Sequence, residues 1–167
     1  ENTKQGRKCG MQQKELVLNE IMLPSKANWA GNIHGGEIMK MMDSAAFAVT
    51  SRYCHYNVVT ARVDELIFHQ PVKVGDLVTC SVKIIFTGKS SMEVKTTISS
   101  DDLKDGHSPV LVLSAFTTMV ALDRNGKPTA IPKLEINSKQ EAREFADALK
   151  RYQIRKGLFQ SVKEIVA

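Results

Sequence analysis

Residues 36–53 read GEIMKMMDSAAFAVTSRY, with Ile38, Met41, Met42, Ala45, Ala46 and Val49 at helical spacing and no proline to interrupt them. At about 1.5 Å per residue, this predicts a helix about 27 Å long, enough to cross a small domain. The other face holds Met39, Phe47 and Ala48, so the helix is expected to be largely buried. A buried helix needs a sheet around it, and the flanking sequence supplies the strands.

Upstream, residues 14–23 (KELVLNEIML) read as a strand stopped by Pro24, and residues 24–36 as a loop of turn formers ending in Gly35 and Gly36. Downstream, strands are predicted over 58–68, 77–87, 91–100 and 109–122. In the first of these, Val59, Ala61, Val63 and Ile67 are read onto one face. In the third, Met92, Val94, Thr96 and Ile98 alternate with Glu93, Lys95 and Thr97. The tight turns at Gly75–Asp76 and Gly88–Lys89–Ser90 demand antiparallel pairing, because a parallel return needs a long crossover. The class is therefore α+β. One helix cannot cover both faces of five strands, so the sheet is expected to curl around it and meet a partner subunit outside. Ser138 and Glu141 form a capping box for an amphipathic helix over 138–152, with the remainder to 167 expected as a loosely attached second helix. Residues 1–13 are expected to be a disordered leader or cloning remnant, 14–134 the domain, and 135–167 a helical extension.

Composition narrows the function. The chain has 167 residues, 43% of them hydrophobic, which suits one domain with a real core and no fibrous or repeat architecture. No run approaches the ~20 apolar residues of a membrane helix, so no membrane partner is expected. The net charge of +5 divides into +3 over residues 1–14, −1 over 15–132 and +3 over 133–167. The basic excess sits on the ends and aromatics are only 6%, so no nucleic-acid partner is expected. Cys9, Cys54 and Cys80 are odd in number with no CxxC, which fits neither a disulfide framework nor a zinc site and points to a reducing, cytoplasmic setting.

The chemistry concentrates between Ala30 and Asp43. Consecutive glycines at a helix start leave backbone N–H groups open to a ligand, and these N–H groups with the helix dipole can hold a developing oxyanion. Gly35 and Gly36 are the candidate donors, with the Asn32 side-chain amide just before them. Asp43 points away from the Ile38/Met42/Val49 stripe, beside Met39 and Phe47. A carboxylate set among apolar side chains is poised for general-base work near neutral pH. Taken singly, each residue has an ordinary explanation: Asn32 as a helix-entry residue, His34 as a loop residue bonded to backbone, Asp43 as a solvated mid-helix acid. The methionines read as core filler, Cys54 and His55 as structural, and Trp29 as a packing or interface residue.

Together, AGNIHGGEIMKMMDSAAFAV, VDELIFHQPVKVGDLV and FTGKSSMEV resemble the hotdog-fold acyl-CoA thioesterases, over about residues 14–134. This group includes bacterial short- and medium-chain enzymes and the two-domain vertebrate long-chain acyl-CoA hydrolase. The resemblance implies a hotdog fold, a long central helix wrapped by a curved sheet. It implies hydrolysis of acyl-CoA to fatty acid and CoA with no cofactor beyond the CoA of the substrate. Asn32 and Asp43 match the family's catalytic pair, contributed by different subunits of a homodimer, with trimers of dimers usual. Gly88, Lys89, Ser90 and Ser91 match the region near the CoA nucleotide, and His34 joins them as a substrate-binding residue. Two other classes fit the same fold: a non-catalytic acyl-CoA-binding module, and a hydratase or dehydratase using His34 with Asp43.

Overall fold

The computed structural model describes residues 13–104 and 106–166, with side chains to residue 157. The predicted leader and Cys9 lie outside the described residues, apart from Gln13. Helix α1 (Gly35–Cys54) is the long helix read from the sequence, one residue longer at each end. Strand β1 (Glu15–Ile21) precedes it, joined through a single 3-10 turn at Pro24–Lys26. Strands β2 (Asn57–Phe68), β3 (Leu77–Thr87), β4 (Ser91–Asp101) and β5 (Val110–Leu122) follow, and α2 (Lys139–Val166) closes the chain. The sheet runs β1-β3-β4-β5-β2, antiparallel at every pairing.

The core lies between α1 and the sheet's inner face, where Ile38, Met42, Ala45, Ala46 and Val49 meet Val78, Cys80, Ile84, Met92, Val94, Ile98, Leu113 and Met119. Each buried methylene contributes about 0.8 kcal/mol, so this layer dominates the domain's stability. Burial pushes the Cys80 thiol up to about 12, and Cys54 is also buried and raised, chiefly by the same cause. Neither is a candidate nucleophile, in keeping with their structural reading.

Three sequence expectations change here. The outer face of the sheet is covered by the chain's own α2 rather than left for a partner. Phe86 packs against Phe145 and Tyr152 at 5.1 and 5.3 Å between ring centroids, and Ala148 is fully buried beside Ile85. The capping box forms: Ser138 Oγ accepts from Glu141 N at 3.1 Å. From it α2 continues as one helix, with no break before the segment expected to be a second one. Finally, β2 does not keep Val59, Ala61, Val63 and Ile67 on one face. Its register slips between Thr60 and Arg62 and again between Asp64 and Ile67, where Glu65 takes φ 49°. Each bulge reverses the alternation beyond it.

Candidate active site

The loop before α1 is built around Asn28. Its Oδ1 accepts from Ala30 N at 2.9 Å and Asn32 N at 3.2 Å, while its backbone N–H donates to Asn32 O at 2.7 Å. Gly31, at φ 80°, closes this turn, a conformation that suits glycine because it lacks a Cβ. The VKVGD turn braces the loop from below. Ile33 N donates to Val72 O at 2.8 Å, and Asn32 bridges Lys73. The turn is itself tied by the Asp76 carboxylate, which accepts from Lys73 N and Ser100 Oγ. Asn28 was not among the sequence candidates; the signal was an Asn three residues before a Gly, a side-chain-closed turn.

His34 is the N-cap of α1. Its Nδ1 accepts from Gly36 N at 3.0 Å, and Glu37 N donates to the His34 carbonyl. The Gly36 amide is therefore engaged by the cap, contrary to the expectation of two bare donors, and Gly35 presents the open N–H. The Phe68 ring, at the end of β2, lies 3.4 Å from where a Gly35 Cβ would stand, so glycine lets strand and helix close together at this point. The cap uses His34 Nδ1 and leaves Nε2 as its second ring nitrogen.

Asp43 lies two turns along α1 from Gly36, between Met39 and Phe47, as the helical spacing requires. This strip is open rather than buried within one chain: Met39 and Phe47 are 41% and 46% exposed, and Asp43 is exposed with them. The expected apolar enclosure of Asp43 is thus half present, with apolar neighbours but no cover. Its carboxylate has a partner the sequence did not reveal. Thr60 on β2 donates to Asp43 Oδ1 at 2.5 Å. Threonine is ordinary in a strand, and only the packing of β2 on α1 singles this one out.

The hairpin of Gly88, Lys89, Ser90 and Ser91 is stitched down rather than floating. Gly88 N donates to Ser91 O, Ala121 N to Ser90 O, and Ile131 N to Lys89 O. Tyr53 OH donates to Pro132 O at 3.3 Å, so the hairpin belongs to the C-terminal end of α1. Phe68 pairs with Leu113 near Gly35, whereas Ser91 pairs with Val120. Leu113 to Val120 is about 24 Å of strand at ~3.4 Å per residue. Within one chain the structure brings Asp43 and Thr60 together and holds Asn28, Asn32, His34 and Gly35 in one loop. It does not bring the Gly88–Ser91 hairpin to them. Trp29, at the loop tip, is fully exposed among the described residues.

Comparison with known proteins agrees with this architecture. The Thioesterase superfamily profile matches residues 30–107. The cytosolic acyl coenzyme A thioester hydrolase of Rattus norvegicus is 36% identical over 136 residues, spanning 81% of this chain and 36% of that longer protein. The acyl-CoA hydrolase of Staphylococcus aureus, solved with butyryl coenzyme A, coenzyme A and coenzyme A disulfide, superposes with a TM-score of 0.80 at 28% identity over 93% of this chain and 94% of its own. The same S. aureus enzyme has been solved with alanine replacing an asparagine, an aspartate or a threonine. The hexameric thioesterase y2039 of Yersinia pestis is 33% identical with a TM-score of 0.66, covering 74% of this chain and all of that one. At this identity and coverage, the chain belongs to the hotdog-fold acyl-CoA thioesterases of the thioesterase superfamily.

Proposed function

We propose that this chain hydrolyses acyl-CoA thioesters with Asp43 as general base. The observation that carries this reading is the hydrogen bond from Thr60 to Asp43 on an open strip of α1. The thioester carbonyl sits against Gly35 N–H, where the positive end of the helix dipole holds the oxyanion; one such donor is worth about 3 kcal/mol. Water attacks the carbonyl carbon and gives its proton to Asp43 while Asn32 orients water or carbonyl. The C–S bond then breaks, and Asp43 returns the proton to the departing CoA sulfur. Direct attack by Asp43 to form an anhydride is the competing route. Oxygen-18 found in Asp43 after a single turnover in labelled water would select it.

Asn28 is a second candidate for the asparagine role. Its Oδ1 is occupied by two backbone donors, leaving its amide N–H groups to face a ligand. The asparagine, aspartate and threonine altered in the S. aureus enzyme are the residue types gathered here, which supports either asparagine.

The assembly follows from what one chain lacks. Edge strand β2 has an unpaired side along twelve residues, with Val59, Val63, Ile67 and Phe68 exposed. Antiparallel pairing of β2 with its copy brings the partner's Gly88–Ser91 hairpin toward this chain's helix N-terminus, and so covers the Asp43 strip. A homodimer completes the site and assembles further as a trimer of dimers, a count of six that the hexameric Y. pestis relative matches. Buried free thiols and the absence, among the described residues, of any helix long and apolar enough to cross a membrane support a cytoplasmic setting.

The test is a thiol-release assay across short, medium and long acyl-CoA substrates. Release that Asp43→Ala reduces by about 100-fold or more supports the reading. Binding without release would make the chain the non-catalytic module instead.

A further inference from the structure

Trp29 is the chain's single tryptophan, and no step of the proposed hydrolysis uses it. It occupies the second position of a turn that Gly31 N closes onto Asn28 O at 3.0 Å. Such turns are built by glycine, proline, asparagine, aspartate and serine, and an indole contributes nothing to closing one. The backbone around it is pinned. Asn28 Oδ1 takes the N–H groups of Ala30 and Asn32, and Ile33 N is tied to Val72 O. A large, stiff side chain on a fixed loop loses little freedom when it meets a partner, which suits it to anchor a contact.

An apolar surface of matching character lies open on α1. Met39 and Phe47 stand one turn to either side of Asp43, both substantially exposed. Phe47, the one farther from the helix start, is an apolar wall for the chain of an acyl group held at Asp43. Trp29 does not cover it within one chain, since both side chains are exposed. Phe47 also lies twelve residues along α1 from Gly35, about 18 Å of helix.

We propose that Trp29 crosses the seam of a homodimer onto the partner's Phe47 and closes the acyl end of the partner's site. This rests on the acyl-CoA reading of Asp43. The occupant of the open strip is a second copy because β2, the edge strand beside it, pairs with its own copy about a twofold axis. That axis reverses α1 together with β2, so the two central helices run antiparallel. The loop before one helix then arrives over the second half of the other, carrying Trp29 with it.

Because Trp29 is the only tryptophan, its fluorescence reads the contact without any activity. In the assembled protein, emission is expected at shorter wavelength than that of N-acetyltryptophanamide, with shielding from iodide. Phe47→Ala substitutes a better helix former at an exposed position, so it is expected to fold and to return both signals toward the free amide. Unshielded emission from assembled wild type, or shielding that Phe47→Ala leaves intact, overturns the proposal. In a thiol-release assay, Trp29→Ala is expected to raise the kcat/KM ratio of palmitoyl-CoA over butyryl-CoA by about tenfold, with Trp29→Phe in between. An unchanged ratio overturns the acyl role. Shielding that depends on Phe47 in a protein that releases no thiol supports the seam contact and sinks the hydrolase reading alone.

Discussion

Thr60 Oγ1 donates to Asp43 Oδ1 across 2.5 Å, a bond that joins the edge strand of the sheet to the open strip of the central helix. Its sulfur-side neighbour is Met119 of the core, 3.4 Å away, so the threonine is anchored from behind and presents its hydroxyl to the carboxylate. If Asp43 is the base, Thr60 fixes which carboxylate oxygen is left for water. Thr60→Val keeps the β-branched shape and removes the donor. A hydrogen bond to a charged group is worth about 1.5–3 kcal/mol, so kcat is expected to fall by about 10- to 100-fold with KM little changed. Thr60→Ser restores most of the loss. A KM increase with kcat preserved would instead make Thr60 a wall of the substrate site.

The seam between protomers makes a separate prediction. Asn32→Ala and Asp43→Ala homo-oligomers are each expected to be nearly inactive. Mixing them after subunit exchange recovers activity if the loop of one chain serves the helix of another. About a quarter of the wild-type rate is the expected ceiling for random pairing in which one intact site survives in each mixed dimer. No recovery despite exchange shown by native mass spectrometry would place the whole site in one chain. Asn28→Ala, which removes the acceptor that closes this loop, is expected to be complemented by Asp43→Ala in the same way, because it disables the loop of the same chain.

Much of this was legible before any coordinates. The helix from Gly35 and all five strands fall within a residue or two of their read boundaries, because glycine-containing turns and uninterrupted periodicity mark their ends. Other features lacked a local signal. The bulge at Glu65 carries a positive φ on a residue that does not favour it, so nothing in the sequence announces it. Glu93 and Lys95 read only as the polar half of an alternation, because their partners, Arg151 and Glu144, lie some fifty residues downstream on α2. The Thr60–Asp43 bond and the use of Gly36's amide by His34 likewise depend on how two elements meet, which spacing within either one does not encode.

Acid should loosen α2 through Glu141. The Lys14 ammonium at 2.8 Å and the Asn137 N–H beside it hold this carboxyl down, from an ordinary 4.5 to about 2. A group whose folded value is depressed contributes stability above its unfolded value and loses that contribution as pH falls toward the folded one. The contribution is thus full above about pH 5 and gone near pH 2. Glu141→Gln is expected to cost about 1 kcal/mol at pH 7, on the scale of a screened ion pair plus a capping interaction. The gap between wild type and variant then narrows as thermal melts are taken from pH 5 downward. A gap independent of pH would mean that Glu141 acts through packing alone.

Glu93 offers the sharpest stability test, because it is the charge most completely removed from water. Its side chain is 1% exposed under α2, receiving Arg151 Nε at 2.9 Å and Arg155 Nη2 at 2.7 Å, while Arg155 also reaches Asp64 at 3.2 Å. Arg151 further stacks 4.0 Å over the Phe116 ring, so its guanidinium is held from two directions. Removing one partner of such a buried set strands the others, at about 3–5 kcal/mol. Glu93→Ala is therefore expected to lower the unfolding free energy from urea melts by that amount, leaving two guanidiniums with only Asp64 between them. Arg155→Ala should cost less, since Arg151 still neutralises Glu93. Replacing Glu93, Arg151 and Arg155 together with apolar residues of similar volume should recover much of the stability, because no buried charge is then left unpaired. If Glu93→Ala were as mild as an exposed substitution, α2 would have to be detached from the sheet in solution.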